Sequence, residues 1–266
     1  MRSGVTGVPN PRTFSNIDGA VLSAPETEKN DRPRLHGSWF MLQRWHNVLF
    51  AHWRVPAEWV SRLLPKGITL DTFGGDAWVS AIPFYMSDVR LRWMPPIPTA
   101  HAFAELNVRT YVTHGGVAGI WFLSLDAEST LAVLGARFGA ALPYYRAAMD
   151  VRLGFHSVEY RSDRLLARQC PAQFDMTYTP RGLRPEVVAG SLDYFLVERY
   201  ALFSGDRDRL WRMDIDHPRW QLYDADAVIR HNTVLSAAGL HGVTGEPLLH
   251  FAPVQDVHFW RPIRVS

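Results

Sequence analysis

In the segment Phe103–Val112, FAELNVRTYV, every second residue carries a side chain that could do chemistry or frame it: Phe103, Glu105, Asn107, Arg109 and Tyr111. A carboxyl group can move a proton, an amide can donate and accept, and a guanidinium can grip a carboxylate through two parallel hydrogen bonds. With the two-residue period of a β-strand these five share one face, and Ala104, Leu106, Val108, Thr110 and Val112 share the other. Two readings follow. The odd face could be an ordinary wet face of a sheet, with Glu105 and Arg109 forming an ion pair. Alternatively it could line a cavity, where burial raises the Glu105 pKa, Arg109 opposes that rise, and Arg109 holds an anionic ligand.

Other residues invite the same weighing. Tyr144 and Tyr145 follow Pro143 and read either as core or rim aromatics or as hydrogen-bond donors to a reacting oxygen. His52, in FAHW, reads as a satisfied buried histidine or as a base or ligand contact. Asp256 and His258 share a strand face, where an exposed salt bridge is the simpler expectation. Cys170 precedes Pro171 without a nucleophile signature and reads as a buried thiol, and Ser191 in AGSLD lacks the flanking glycines of a nucleophile elbow and reads as a helix cap. The histidines show no zinc-motif spacing, so neither a metal nor another cofactor is expected.

The elements that would position these groups are mostly strands. Residues 1–36 are rich in Gly, Pro, Ser and Asn with nearly balanced charge, which predicts a flexible arm before a single domain over 37–266. Order is expected from WFMLQRWHNVLFAHWRVP, followed by a short helix in AEWVSRLLP. The runs ITLDTF and AWVSAIPFYM around Gly74–Gly75 predict one hairpin, and FAELNVRTYV and IWFLSLDA around Gly115–Gly116 predict a second. Between them the proline-rich residues 92–101 cannot pair as a central strand, and they are expected to form a lid. Asp126 is expected to cap a helix carrying Leu131, Leu134 and Phe138, and Ser191 a helix running through GSLDYFLVERYAL with Leu192, Phe195, Leu196 and Tyr200 inward. VRLGFHSVEYRS, RLLARQCPAQFDMTYTP and LLHFAPVQDVHFW read as further strands. The fold class is therefore α+β, built on a large curved antiparallel sheet or barrel with a few flanking helices.

Composition removes several classes of function. A net charge of +2, with arginines scattered among acids, offers no footprint for nucleic acid. One cysteine forbids an intrachain disulfide, and no apolar run approaches a membrane span, so a cytoplasmic protein off the membrane is expected. Of the 28 basic residues only Lys29 and Lys66 are lysines, which leaves little room for Schiff-base chemistry.

Taken together, NVLFAHWRVP, LDTFGGDAWVSAIPFYMSDVR, FAELNVRTYV, GIWFLSLDAESTLAVLGAR, GSLDYFLVERY and PLLHFAPVQDVHFW resemble the YqjF-like bacterial family, a domain of unknown function, over roughly residues 38–262. A more distant resemblance is to the acetoacetate decarboxylase-like superfamily. It implies a cone-shaped antiparallel β-barrel with a small-molecule cavity and a glutamate on a cavity-lining strand, which Glu105 would match. In ARFGAALPYYRAAM, Pro143 matches the proline of that superfamily's lysine motif, while Tyr144 and Tyr145 stand where its paired lysines would be. Tyrosine can donate a hydrogen bond or a proton but forms no imine.

The resemblance thus implies a lyase-like or acid–base enzyme on a small oxo or carboxylic acid that works without a Schiff-base lysine. Glu105 with Tyr144 or Tyr145 would be catalytic, and Arg109, Asn107, Tyr111 and His52 would meet an anionic small-molecule ligand. The alternative is a noncatalytic organic-acid binding protein using the same cavity. Either protein could be a homo-oligomer.

Overall fold

Strand formation follows the alternating and β-branched runs, and two turns fall at glycine pairs whose backbone is left-handed, Gly74–Gly75 and Gly115–Gly116. The computed structural model describes residues 35–95, 102–129, 142–165, 171–205 and 209–266. In chain order these hold β1 (Met41–Val55), α1 (Ala57–Ser61), β2 (Thr69–Leu70), β3 (Ala77–Leu91), β4 (Phe103–His114), β5 (Val117–Ala127), β6 (Tyr144–Leu153), β7 (Val158–Arg164) and β8 (Gln173–Leu183). There follow α2 (Leu192–Val197), β9 (Ala201–Gly205), β10 (Leu210–Asp216), β11 (Tyr223–Asn232), α3 (Val234–Ala237), β12 (Leu248–Phe259) and β13 (Ile263–Arg264). The result is one α+β domain whose described residues make a single curved, 13-stranded, mainly antiparallel sheet with three short helices.

The pairings run β13-β10-β9-β5-β6-β7-β8-β11-β12-β1-β3-β4-β2, with β4 also joined to β5 and β10 to β12. Strand pairing therefore closes in two rings that share the wall β12-β1-β3-β4-β5. Sharing is possible because β5 changes partner along its length. Ile120 and Trp121 pair in parallel with β9, Leu125 to Ala127 pair in parallel with β6, and Leu123 between them is bulged out of the β4 register.

A shared wall has two buried faces, and the two-residue period sorts side chains between them. Phe50, Ile82, Phe84, Phe103, Tyr111 and Ile120 join a core with Leu196, Leu202 and Ile215, on the side of β9, β10 and α2. Leu49, Ala51, Val79, Ala81, Leu106 and Val108 join another with Tyr160, Phe174 and Met176, on the side of β7 and β8. The even face of β4 thus packs mainly against strands, with Val60 of α1 and Val234 of α3 at the same core, rather than under helices alone.

Several local expectations change. The glycine pair Gly74–Gly75 carries only a single bridge, Phe73 to Asp76, and β2 pairs with β4 rather than β3, so the first expected hairpin does not form. Asp126 caps no helix: it lies within β5, where burial against Arg164 outweighs its capping tendency. Residues 130–141, which carry the rest of that expected helix, fall outside the described residues, as do residues 96–101 of the proline-rich segment, Cys170 and residues 1–34 of the arm. Ser191 does cap α2, its hydroxyl accepting from the Tyr194 N–H, but the helix stops at Val197. Ala201–Gly205 is instead drawn into β9, pairing with both β5 and β10, a tertiary override of local helical pattern. VRLGFHSVEYRS divides at the Gly154–Ser157 turn between β6 and β7, and β9, β10, β11 and β13 are strands the sequence pattern did not announce. No helix among the described residues is long and apolar enough to cross a membrane.

Candidate functional site

All ten residues of FAELNVRTYV are buried, so neither face of β4 is wetted. Glu105, Asn107 and Arg109 point to the same core as Phe103 and Tyr111, because β4 pairs with β3 in unbroken register from Val79–Thr110 to Met86–Phe103. Three polar residues inside an apolar shell need partners, and their supply is uneven.

Glu105 has one. The Tyr144 hydroxyl, brought in because β6 begins beside the end of β5, donates to Oε2 at 2.8 Å. Burial pushes the Glu105 carboxyl up to about 8, the Tyr144 hydrogen bond works against that rise, and the charge of Asp126 adds to it. At neutral pH Glu105 is therefore mostly an uncharged acid with a proton to give. Burial, followed by the neighbouring Glu105, raises the Tyr144 hydroxyl well above its ordinary value, so Tyr144 stays a donor.

Arg109 has no carboxylate among the described residues. Its Nη2 donates to the Leu196 carbonyl at 3.1 Å, its Nε finds no partner there, and its guanidinium lies near the rings of Phe50 and Tyr111. The expected Glu105–Arg109 ion pair does not form, and burial lowers the Arg109 pKa. Asn107, between the two, leaves its Oδ1 without a partner among the described residues.

Tyr111 and His52 extend the cluster across the wall. The Tyr111 hydroxyl donates to the same Leu196 carbonyl at 2.9 Å, one of the end carbonyls that a short helix cannot satisfy internally. It also lies 2.8 Å from Ser80 Oγ and 3.2 Å from His52 Nδ1, and Ser80 Oγ is 2.7 Å from that same nitrogen. The row is set by register, since His52 pairs with Ser80 and Ser80 with Arg109. Burial, then the neighbouring His250 and Arg109, lowers the His52 pKa well below its ordinary value, and its Nε2 has no partner among the described residues.

The sequence reading missed three contributors: Ser80, the Leu196 carbonyl, and the pair His250–Asp193. His250 Nε2 stands 3.1 Å from Asp193 Oδ1, and the His250 ring meets that of His52 edge-on at 5.3 Å. A buried polar residue within the apolar run of AWVSAIP was a usable signal for Ser80; the other two depend on long-range packing.

Tyr145 goes elsewhere. Consecutive strand residues face opposite ways, so Tyr145 lies on the far side of the wall, its ring 3.9 Å from the Arg164 guanidinium. Arg164 Nε donates to Asp126 Oδ1 at 2.8 Å, and both side chains are 1% exposed. Burial raises the Asp126 carboxyl, opposed by Arg164. Asp256 pairs with Arg44 at 2.6 and 2.8 Å on the half-exposed outer surface, and the His258 ring lies tilted against that of Trp39, so neither belongs to the cluster. Among the described residues no group of three His, Cys, Asp or Glu side chains could hold a metal ion.

Comparison with known proteins places this geometry in context. The DUF2071 family profile, described as an uncharacterized conserved protein, matches residues 42–256. The chain is 45% identical over 228 residues to the uncharacterized protein YqjF of Bacillus subtilis (strain 168), covering 86% of this chain and 93% of that protein. Among solved structures it is similar to an acetoacetate decarboxylase-like enzyme from Sphingomonas wittichii RW1, with a TM-score of 0.61, 12% identity and coverage of 86% of this chain and 94% of the other. It is also similar to the enduracididine biosynthesis enzyme MppR complexed with pyruvate, with a TM-score of 0.58, 10% identity and coverage of 88% and 92%. The sheet is thus of the acetoacetate decarboxylase-like kind.

Proposed function

The chain belongs to the DUF2071 family, and from that footing we propose that it is an acid–base enzyme acting on a small oxo or carboxylic acid without a Schiff-base lysine. One observation carries the reading: a fully buried guanidinium, Arg109, lacks a carboxylate among the described residues while sharing a face with the neutral acid Glu105. An unpaired buried charge is costly, and a ligand carboxylate would relieve that cost through a bidentate pair.

Each residue then has a task. Arg109 holds the carboxylate, and Asn107, next along the strand, offers an amide to the oxo group. Glu105 gives its proton to the carbonyl oxygen as a base takes the proton from the neighbouring carbon and the C–H electrons become the C=C bond of an enol. Tyr144 stabilises the glutamate carboxylate left behind, and Tyr111 and His52 hold the wall beside Arg109 in place. Imine chemistry has no buried lysine to use among the described residues, since tyrosines occupy positions 144 and 145 and Lys66 is exposed.

Pyruvate is a fitting probe because it is the compound bound in one fold neighbour. Pyruvate and 2-oxobutyrate are incubated with the protein in D2O, and loss of the C–H signal next to the carbonyl is followed by proton NMR. The reading predicts catalysed exchange, lowered about a hundredfold or more by Glu105→Gln, with the dissociation constant nearly unchanged. The second reading, a noncatalytic organic-acid binder, draws on the same Arg109 and on the loss of the lysine pair. Binding without exchange selects it, and neither binding nor exchange removes both.

A further inference from the structure

Breaking a C–H bond needs a base, and Glu105, which starts protonated, is not one. We propose that His250, oriented by Asp193, is the base that takes the proton from carbon; the inference rests on the acid–base reading above. Three features of the wall lead to it.

The first is a fixed tautomer. Asp193 bonds His250 Nε2 through Oδ1 and Arg184 Nη2 through Oδ2, at 3.1 and 2.8 Å. The His250 hydrogen bond, ahead of Arg184, holds the Asp193 carboxyl down at about 2, so it accepts and never donates at ordinary pH. In the singly protonated ring the proton therefore sits on Nε2, and Nδ1 carries the lone pair. The second is that this Nδ1 is buried without a partner among the described residues. Pinning α2 to the sheet would account for the Nε2–Asp193 bond but gives a buried acceptor on the other nitrogen nothing to do.

The third is position. His250 pairs with Phe50, on the inner face that also carries His52. The rings of His52 and His250 touch, His52 meets Tyr111, and Tyr111 shares the Leu196 carbonyl with Arg109. Base, neutral imidazole and anion clamp thus follow one another across β12, β1 and β4 beneath α2. Behind the base, the Asp193 side chain is itself 28% exposed, which gives exchanged hydrogens a route to solvent.

The step balances within these residues. His250 Nδ1 takes the proton from carbon, the C–H electrons form the enol double bond, and the carbonyl oxygen takes the Glu105 proton. Reversal in D2O returns deuterium to carbon. Asp193 is a positioning residue in this scheme.

The same exchange experiment tests it with His250→Gln, whose amide N–H can still reach Asp193 but which has no basic nitrogen, and with Asp193→Asn. His250→Gln is expected to lower exchange about a hundredfold or more while the pyruvate dissociation constant stays within about threefold. Asp193→Asn is expected to lower exchange by a smaller factor, again without loss of binding, a split that a merely structural contact would not produce. Wild-type exchange in His250→Gln alongside lost exchange in Glu105→Gln would overturn the base and leave the acid–base reading standing. Parallel loss of binding and exchange in His250→Gln would also overturn it, returning His250 to a structural role. Absence of exchange in the wild-type protein would remove both proposals together.

Discussion

Two arginines lie on opposite faces of the β4–β5 wall, equally withdrawn from water and differently served. Arg164 meets Asp126 at 2.8 Å and lies over the Tyr145 ring. Arg109 meets a helix-end carbonyl and two aromatic rings, with no carboxylate among the described residues. The acids differ in the same way: Asp126 has its cation, and Glu105, whose one partner among the described residues is a tyrosine hydroxyl, is pushed up to about 8. A buried ion pair serves the fold even though Asp126 Oδ2 and Arg164 Nη2 have no further hydrogen-bond partner among the described residues. A buried charge and a buried neutral acid left apart are poorly arranged for stability and well arranged for a ligand that is both an anion and a proton acceptor.

The largest expected effect separates the two faces by stability. Asp126→Asn strands the Arg164 charge and should cost about 3–5 kcal/mol in urea unfolding. Arg109→Met removes a charge that has no counter-ion among the described residues and should leave stability unchanged or raised. Equal losses in the two variants would break the comparison.

A pH series sharpens it. Glu105 keeps its proton to about 8 in the folded chain against an ordinary 4.5, so between those values the folded protein binds more protons than the unfolded one. Its contribution is therefore complete below pH 4.5 and lost as pH rises toward 8, with a slope approaching about 1.4 kcal/mol per pH unit. Glu105→Gln cannot titrate, and the difference between its unfolding curve and that of wild type should show this slope; a flat difference would contradict the raised value.

Smaller effects distinguish the adjacent tyrosines. Tyr144→Phe removes the hydroxyl that favours the Glu105 carboxylate, so the pH window should extend upward and exchange should fall about tenfold or more. Tyr145→Phe keeps the ring beside Arg164 and should leave exchange unchanged. No effect at all is expected from borohydride with pyruvate, and a mass gain mapped to a lysine would restore an imine mechanism.

Legibility in the sequence followed the range of the interactions. The two-residue period of FAELNVRTYV correctly sorts Glu105, Asn107 and Arg109 from Leu106 and Val108, because pleat geometry acts within one strand. The motif order likewise identified the family and sheet type. Periodicity could not say that both faces would be buried, since that depends on two rings sharing one wall. Nor could it separate Tyr144 from Tyr145 without the β5–β6 register, or foresee β2 leaving its glycine turn to pair with β4. His250 and Asp193 meet across 57 residues of sequence, and Leu196 contributes only a backbone carbonyl, so neither partner leaves a local trace.

The central claim is that Arg109, which has no counter-ion among the described residues, is held for an anionic ligand. Calorimetric titration of pyruvate into wild type and Arg109→Met, at a pH where both are folded, tests it most directly. The account predicts binding to wild type and a loss of about 2–5 kcal/mol in the variant, at least about thirtyfold in dissociation constant, with stability retained. Equal affinity in the two proteins would contradict it.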